Sequence, residues 1–540
     1  MKLQGTRHFA YLCIQTTAMS KKNYKHQMIL LLAISFLCRS VIAALTELGN
    51  DEVYYWTYAL YPDWSHFDHP PMVGWIIQLF TLNLRYDSAF FLRLPALVLG
   101  TFNTWMIYRL GVSLRNPRTG WYAALLHTGS LYATILAGIF ILPDTPLSTF
   151  YLLSLFFMFK ACGLNARQSY ATRPVYFLPA GIFTGLAMLS KYTGVFLWAG
   201  TFLFVLFYRR NLLKNVYFWL GILVSAILFS PVVIWNLTQD YSSFAFHSGR
   251  ISFFGEGIKP FLFGREVMGE FLYNNPVNFI LIILAVVFSL KTKNKEVPAR
   301  NLLSKDTIRM ILLQSFPLIA TFLFFSLFRA TLPHWSAPAF YPLILLAAAY
   351  ADYRTLARPV RASVAILIVV VVMGVIQIQT GFIPLTPPSS AKDMSSADPY
   401  KELGRNDFTL DMYGWEKLGD RFAFVSRQQE KLYNDSDGNK GMPVESAILA
   451  HRWFPAAHLD YYVARPVGKV VKTRGPVERT HKYHQITQIR GGIAPGERLY
   501  YIESSRFPEQ IEKTVPLDTF FVYRCGKPVI RYVIHSVTSE

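Results

Sequence analysis

The chain has 540 residues, of which 52% are hydrophobic, 16% are aromatic and 16% are charged, and its formal net charge is +20. Soluble domains carry about 25% charged residues, and so apolar a composition excludes a disordered chain and a collagen-like repeat. The cysteines are too few and too scattered for a disulfide scaffold or a CxxC metal site: Cys13, Cys38, Cys162 and Cys525.

Apolar stretches close to the roughly 20 residues needed to cross a bilayer recur along most of the chain. They predict a polytopic α-helical membrane protein with about 11 spans, and at most 13. The predicted spans are residues 28–46, 89–110, 119–139, 145–163, 175–190, 193–208, 216–236, 277–290, 310–327, 336–352 and 363–381.

The distribution of lysine and arginine predicts how these spans are oriented, because basic loops are retained in the cytoplasm. The polar lead, residues 1–27, is basic, and so is every second loop after it. We therefore expect a cytoplasmic (inner) membrane protein with its N-terminus inside and its C-terminus outside. The charge of +20 is then mostly an orientation signal, which argues against nucleic-acid binding.

The first outside loop combines carboxylates, histidines and aromatic residues. It reads Gly49-Asn-Asp-Glu-Val-Tyr-Tyr-Trp56 and continues as Trp64-Ser-His-Phe-Asp-His-Pro-Pro71. Tyrosine and tryptophan at this density are typical of a headgroup boundary. The pattern predicts short amphipathic helices that lie along the outer surface of the membrane.

Asp51 and Glu52 have two interpretations. Carboxylates at the start of a helix interact favourably with its positive end, which is a purely structural role. For Asp51 we favour catalysis, because His66, Asp68 and His69 follow within the same loop. Asp68 and His69 are also candidates for a divalent metal site, although the spacing matches no metal template.

Four more ionisable residues stand at predicted outer edges of the membrane. Asp144 lies between prolines, Lys191 interrupts apolar sequence, and Arg329 and His334 share one turn. A turn-forming aspartate and a snorkelling lysine are the structural alternatives. Acids and bases gathered on one side predict a general base beside a cationic site for an anionic leaving group. The long outside loop at residues 237–276 is a candidate lid or binding loop.

The composition changes after residue 381. Prolines and serines predict a linker over residues 382–396. The polar remainder, residues 397–540, has short β-like runs and a predicted helix near residues 415–428. The runs are residues 447–450, 499–503, 520–523 and 529–534. This pattern predicts a soluble α/β domain outside the membrane, which follows a transmembrane domain over residues 28–381.

The polar motifs resemble those of a known family. The chain has Asp51-Glu-x-Tyr-Tyr-Trp56, then Phe67-Asp-His-Pro-Pro71, Arg93-Leu-Pro95 and Pro143-Asp-Thr-Pro146. Together they look like the bacterial GT-C glycosyltransferases, which are related to protein O-mannosyltransferases and to the lipid A aminoarabinose transferase. The resemblance covers roughly residues 28–350.

The resemblance implies an inverting transferase that takes a sugar from a polyprenyl-phosphate carrier on the outer face of the membrane. Asp51 would be the catalytic base, with Glu52 beside it, and Asp144 would shape the site. The expected acceptor is lipid A or another glycan, a glycolipid or a protein. Where the aminoarabinose transferase has Glu-Lys-Pro-Pro, this chain has Asp68-His-Pro-Pro71, which removes a permanent cation.

The predicted chemistry needs cations beside the phosphate leaving group. Lys191 and Arg329 are candidates, with Asp68 near the donor and with His69 or His334 assisting if protonated. No cofactor is predicted beyond the divalent metal left open above, and the chain has no P-loop or dinucleotide-binding motif. A transporter or flippase, and a non-catalytic envelope scaffold, are the competing functions.

Overall fold

The computed structural model describes residues 3–164, 172–251, 257–291, 303–385, 400, 402–509 and 513–539. Most of the predicted linker, residues 386–396, lies outside this described part. The chain forms two compact units. The first unit comprises residues 1–41, 69–76 and 90–369, and the second comprises residues 42–68, 77–89 and 370–540. Residues 42–68, which include most of the predicted first outside loop, thus group with the C-terminal region.

Helices dominate the described chain. Those up to the seventh predicted span are α1 (Leu3–Leu45), α2 (Asn50–Leu60), α3 (Met72–Phe80), α4 (Ala89–Leu114), α5 (Pro117–Gly129), α6 (Asp144–Ala161), α7 (Phe177–Ser190), α8 (Phe196–Tyr208) and α9 (Val216–Thr238). The later ones are α10 (Ser242–Ile251), α11 (Pro260–Tyr273), α12 (Pro276–Lys291), α13 (Lys305–Ser326), α14 (Phe340–Tyr353), α15 (Ala357–Thr380), α16 (Trp415–Asp435), α17 (Trp453–His458), α18 (Val477–Thr480) and α19 (Lys482–Ile489).

The polytopic α-helical architecture is confirmed. Among the described residues, five helices are long and apolar enough to cross a membrane, or six if the bent pair α11–α12 forms one span. Each predicted span overlaps a helix, but the span predicted at residues 119–139 is broken into α5 and a π-helical turn, Tyr132–Leu136. Several helices are therefore shorter than the sequence pattern indicates, and length alone does not fix the number of spans.

Close helix packing in the first unit depends on small residues. Helix α7 packs against α6 and α9. A Cβ atom added to Gly181 of α7 would lie 2.1 Å from the carbonyl oxygen of Gly221 in α9. The two backbones can approach this closely only because neither position carries a side chain.

The second unit contains a mixed five-stranded sheet in the order β2-β1-β3-β5-β4. The strands are β1 (Ile448–Ala450), β2 (Val471–Thr473), β3 (Arg498–Ser504), β4 (Val515–Arg524) and β5 (Lys527–Thr538). Strand β1 is parallel to β2 and β3, whereas β5 is antiparallel to β3 and β4. The predicted α/β character and four of the strands are confirmed; β2 was missed because it has only three residues, one of them a lysine.

We expect Gly181→Val to destabilise the protein by about 1–3 kcal/mol or more, because the added methyl groups would overlap the backbone of α9. Thermal unfolding in detergent measures this loss. Gly374→Val in α15 is the matched control, since an added Cβ there has no described atom within 4 Å. Equal melting temperatures for the two variants would contradict the close α7–α9 contact.

Candidate active site

The predicted site residues divide between the two units. The first unit contains the following five: His69, Asp144, Lys191, Arg329 and His334. The second unit contains Asp51, Glu52 and Asp68. We describe each group within its own unit.

Asp144 and Lys191 form a buried ion pair in the first unit. Asp144 opens α6, where Pro146 lies in the first turn and so loses no helical hydrogen bond. Helix α7 ends at Ser190, and Lys191 continues in extended conformation. Its Nζ donates to both carboxylate oxygens of Asp144 at 3.0 Å. The side chains are 3% and 7% exposed, so Lys191 pairs with an acid and does not snorkel to the membrane surface.

Hydroxyl groups complete the surroundings of Asp144. The Tyr132 hydroxyl donates to Oδ1 of Asp144 at 2.9 Å, and the Tyr341 hydroxyl donates to Ser148 at 2.8 Å. The tyrosines lie on the π-helical turn and on α14, and both are almost fully buried. Asp144 is therefore paired with Lys191 and accepts hydrogen bonds from two separate segments of the chain. Neither tyrosine was among the residues selected from the sequence.

His334 occupies the turn that precedes α14. The pKa of its imidazole is lowered to about 4, chiefly by burial and also by the Lys191 ammonium, while Asp144 opposes the change. At neutral pH the ring is uncharged, so it can form hydrogen bonds but supplies no positive charge to a phosphate. Its centroid lies 6.4 Å from that of Tyr273. Arg329 belongs to the same turn and is partly buried.

Two carboxylates of α11 accept hydrogen bonds from the segment that carries Arg329 and His334. Glu266 accepts a hydrogen bond from Thr331 at 2.7 Å, and Glu270 accepts one from Ser336 at 2.7 Å. Both glutamates are buried. The sequence analysis named the loop that contains them but did not select Glu270, although the i, i+4 spacing places both glutamates on one helix face.

His69 lies in an aromatic cluster of the first unit. Its ring centroid is 6.0 Å from that of His247, which in turn lies 5.0 Å from the ring of Tyr192. Tyr192 directly follows Lys191 in sequence. The structure therefore places His69 beside His247, a residue of the predicted long outside loop.

In the second unit, Asp51 and Glu52 begin α2 but have different environments. Glu52 is buried and accepts a hydrogen bond from the Gly49 N–H at 2.9 Å, so it caps the helix. Asp51 is exposed in the same first turn. The structural interpretation thus applies to Glu52, and only Asp51 presents a carboxylate to solvent.

The aromatic residues of α2 are buried, which corrects the prediction of a half-wet surface helix. Tyr54 and Tyr58 are at most 1% exposed, and both hydroxyls donate to Oδ1 of Asp68, the former at 2.8 Å. Asp68 is therefore held by phenols. Among the described residues, no group of three or more histidine, cysteine or acidic side chains is placed to hold a metal ion.

Residues from the C-terminal part of the chain hold both ends of α2. At its start, Nε2 of His458 pairs with Oδ1 of Asn50 at 2.8 Å. At its end, Nζ of Lys482 donates to the carbonyl oxygens of Thr57 and Tyr61 at 3.2 and 2.6 Å. Thr57 also accepts the Tyr61 N–H at 2.9 Å, so Lys482 adds a second donor there, whereas the Tyr61 carbonyl lies beyond the last residue of α2. Burial lowers the pKa of Lys482 to about 7, and carboxylates oppose the change.

The segment before α2 is held in a similar way. Leu48 donates its N–H to the Tyr462 hydroxyl at 2.6 Å, and the Glu47 carboxylate accepts the N–H of Trp415 at 2.9 Å. Glu47 thus caps α16, and burial raises the pKa of its carboxyl. Residues of the C-terminal region therefore hold α2, the helix that carries Asp51, at both of its ends.

The chain is similar to known transferases. The family model for dolichyl-phosphate-mannose-protein mannosyltransferases matches residues 68–235. Lipid A galacturonosyltransferase RgtD from Rhizobium johnstonii is 26% identical over 202 residues, which are 36% of this chain and 40% of that protein. The chain thus matches less than half the length of this curated relative.

Solved structures show the same fold. The crystal structure of ArnT from Cupriavidus metallidurans bound to undecaprenyl phosphate matches with a TM-score of 0.59 and 13% identity, over 95% of this chain and 98% of that one. The apo structure of ArnT matches with a TM-score of 0.58 and 12% identity, over the same shares of the two chains. The predicted resemblance to GT-C glycosyltransferases is confirmed, and these matches do not favour the transporter or scaffold alternatives.

We expect Lys191→Met to cost about 3–5 kcal/mol of stability, because it leaves the Asp144 carboxylate buried without its partner. Adding Asp144→Asn to the same protein should recover part of this loss. The free energy of unfolding in detergent is measured for both single variants and the double variant. Arg405→Met is the control, because Arg405 forms an exposed ion pair with Glu402 and its loss should change stability little. A double variant no more stable than Lys191→Met alone would contradict the pair.

We expect the second unit to lose stability as the pH falls below about 6.5. Burial holds the pKa of His458 well below its ordinary value, so the unfolded chain binds a proton that the folded chain does not. At pH 5 this extra protonation of the unfolded chain lowers the free energy of unfolding by about 2 kcal/mol. Melting curves between pH 5 and pH 7.5 should therefore depend less on pH in His458→Gln than in the wild type. The exposed His484 supplies a matched control, His484→Gln, which should keep the wild-type pH dependence.

Proposed function

We propose that the protein is a membrane glycosyltransferase that transfers a sugar from a polyprenyl-phosphate-linked donor to an acceptor of the cell envelope, with inversion at the anomeric carbon. The family match over residues 68–235 carries the proposal, because this region contains the buried Asp144–Lys191 pair. The ArnT-like fold over 95% of the chain and the similarity to a lipid A glycosyltransferase support it. The acceptor is a lipid A-type glycan, a glycolipid or a protein.

The exposed Asp51 carboxylate fits the role of general base. It accepts the proton of the acceptor hydroxyl while the oxygen attacks the anomeric carbon. The bond between that carbon and the phosphate oxygen breaks, and polyprenyl phosphate leaves with the electron pair. Glu52 does not share this role, since its carboxylate caps α2.

Because His334 is uncharged at neutral pH, other residues must supply the positive charge beside the phosphate. Lys191 has three N–H groups, and Asp144 accepts two of them, so the pair is nearly neutral and one donor is left. Lys191 then positions the site and contributes one hydrogen bond. Arg329 is the candidate cation beside the phosphate, because a guanidinium group binds phosphate oxygens in pairs.

We further propose an arrangement of about 11 spans in the cytoplasmic membrane, with the C-terminal domain outside. The alternation of basic loops supports this orientation. A helix occurs at each of the eleven predicted spans, which supports the count. Among the described residues, five or six helical segments are long and apolar enough to cross a membrane. Broken and short helices are tolerated where neighbouring protein satisfies their backbone groups.

We expect Asp51→Asn to lower the rate of sugar transfer about 100-fold or more, because an amide cannot accept the acceptor's proton. The adjacent Glu52→Gln is the matched control: a glutamine oxygen still accepts the Gly49 N–H, so α2 and the activity should be retained. Transfer is measured in proteoliposomes with a polyprenyl-phosphate-linked sugar and extracted envelope lipids or proteins. Full activity in Asp51→Asn would exclude Asp51 as the base.

The same assay identifies the substrates when it is combined with a deletion strain. Mass spectrometry of envelope glycolipids and glycoproteins should show the loss of one sugar, which the wild-type gene restores and Asp51→Asn does not. A deletion strain with no missing sugar in any fraction would overturn the proposed function.

A further inference from the structure

A cavity of about 350 Å³ lies in the second unit, at the carboxyl ends of its three parallel strands. His451 and Arg452 directly follow β1, Arg474 directly follows β2, and Glu509 comes after β3. In sheets with parallel strands, ligands bind in the crevice beyond these carboxyl ends. The volume is in the range of small-molecule sites.

The lining of the cavity has an excess of positive charge. Arg452 is paired with Glu509, with 2.5 Å between Nε and Oε1. Arg474 and Arg479 also line the cavity, and within the described part of the chain neither guanidinium has an ion-pair partner. Two uncompensated guanidinium groups converge on one cavity, which is an arrangement that an anion stabilises.

The backbone fixes where these arginines stand. The Arg474 N–H donates to the Ala450 carbonyl at 3.0 Å, and its own carbonyl accepts Nδ1–H of His451 at 3.0 Å. Gly475 follows with a φ of 140°, a conformation that side chains disfavour, and turns the chain toward α18, which carries Arg479. The sheet therefore fixes the backbone of Arg474, and Arg479 follows five residues later on α18.

One buried acceptor beside the cavity lacks a donor. Because Nδ1 of His451 donates to a carbonyl, Nε2 of the neutral ring is an acceptor, and this buried atom has no hydrogen-bond partner among the described residues. Buried polar atoms normally have a partner, which a water molecule or a ligand hydroxyl can supply. The lining thus combines charged donors for an anion with an acceptor for a hydroxyl group.

We propose that this cavity binds a phosphate monoester carried by a sugar or a lipid headgroup, and that it recognises the acceptor of the transfer reaction. A phosphate monoester carries a charge of about −1.5 to −2 near neutral pH, which matches the two uncompensated arginines. Its oxygens also accept the paired N–H groups of guanidinium. The acceptor role rests on the proposed transferase function, whereas the binding site itself does not.

The test uses the full-length protein in detergent or in nanodiscs. Calorimetry measures binding of glucose 1-phosphate, with glucose as the uncharged comparison, and a second arm compares nanodiscs with and without phosphatidic acid. The variant Arg474→Gln/Arg479→Gln should bind a phosphate monoester at least tenfold more weakly than the wild type. The control Arg405→Gln/Arg427→Gln removes the same charge from exposed positions outside the cavity and should bind normally.

The two arms identify the source of the phosphate. Binding of glucose 1-phosphate indicates a sugar phosphate, and binding only to phosphatidic acid indicates a lipid headgroup; both support the site. No binding in either arm, or an equal loss in the control variant, would overturn it. Normal sugar transfer by Arg474→Gln/Arg479→Gln would remove the acceptor role and leave the transferase intact, whereas binding without any transfer activity would leave the site and remove the transferase.

Discussion

The buried pair of Asp144 and Lys191 is the interaction on which the first unit depends. Each group alone would cost several kcal/mol to bury, so each requires the other within hydrogen-bonding distance. This requirement ties the first residue of α6 to the residue after α7, and it recruits the Tyr132 hydroxyl to a remaining lone pair. A buried ion pair adds little net stability, but a fully hydrogen-bonded one favours a single arrangement of the residues around it.

Phenol–carboxylate hydrogen bonds occur in both units of the protein. Tyr132 donates to Asp144, Tyr54 and Tyr58 donate to Asp68, and Tyr483 donates to Asp460. A tyrosine brings a large apolar ring and one hydroxyl, so it can pack in a core and still satisfy a buried carboxylate. The tyrosines of α2 therefore combine apolar packing with hydrogen bonds to a buried carboxylate.

The C-terminal region also holds the helix that carries the proposed base. His458 and Lys482 hold the two ends of α2, so the orientation of the Asp51 carboxylate depends on residues about 400 positions later. The same C-terminal region also forms the arginine-lined cavity. If the cavity recognises an acceptor, one folded unit both orients the proposed base and selects the molecule whose proton it removes.

The sequence alone determined the membrane class, the C-terminal sheet and the family resemblance, because apolar run length, alternation and local motifs are properties of neighbouring residues. It also identified Asp51, Asp144 and Lys191, since ionisable residues are conspicuous in apolar sequence. Which acid pairs with which base, and that Lys482 completes α2, were decided by tertiary structure. These contacts join residues 47 to 425 positions apart, and no local pattern encodes a partner at that distance.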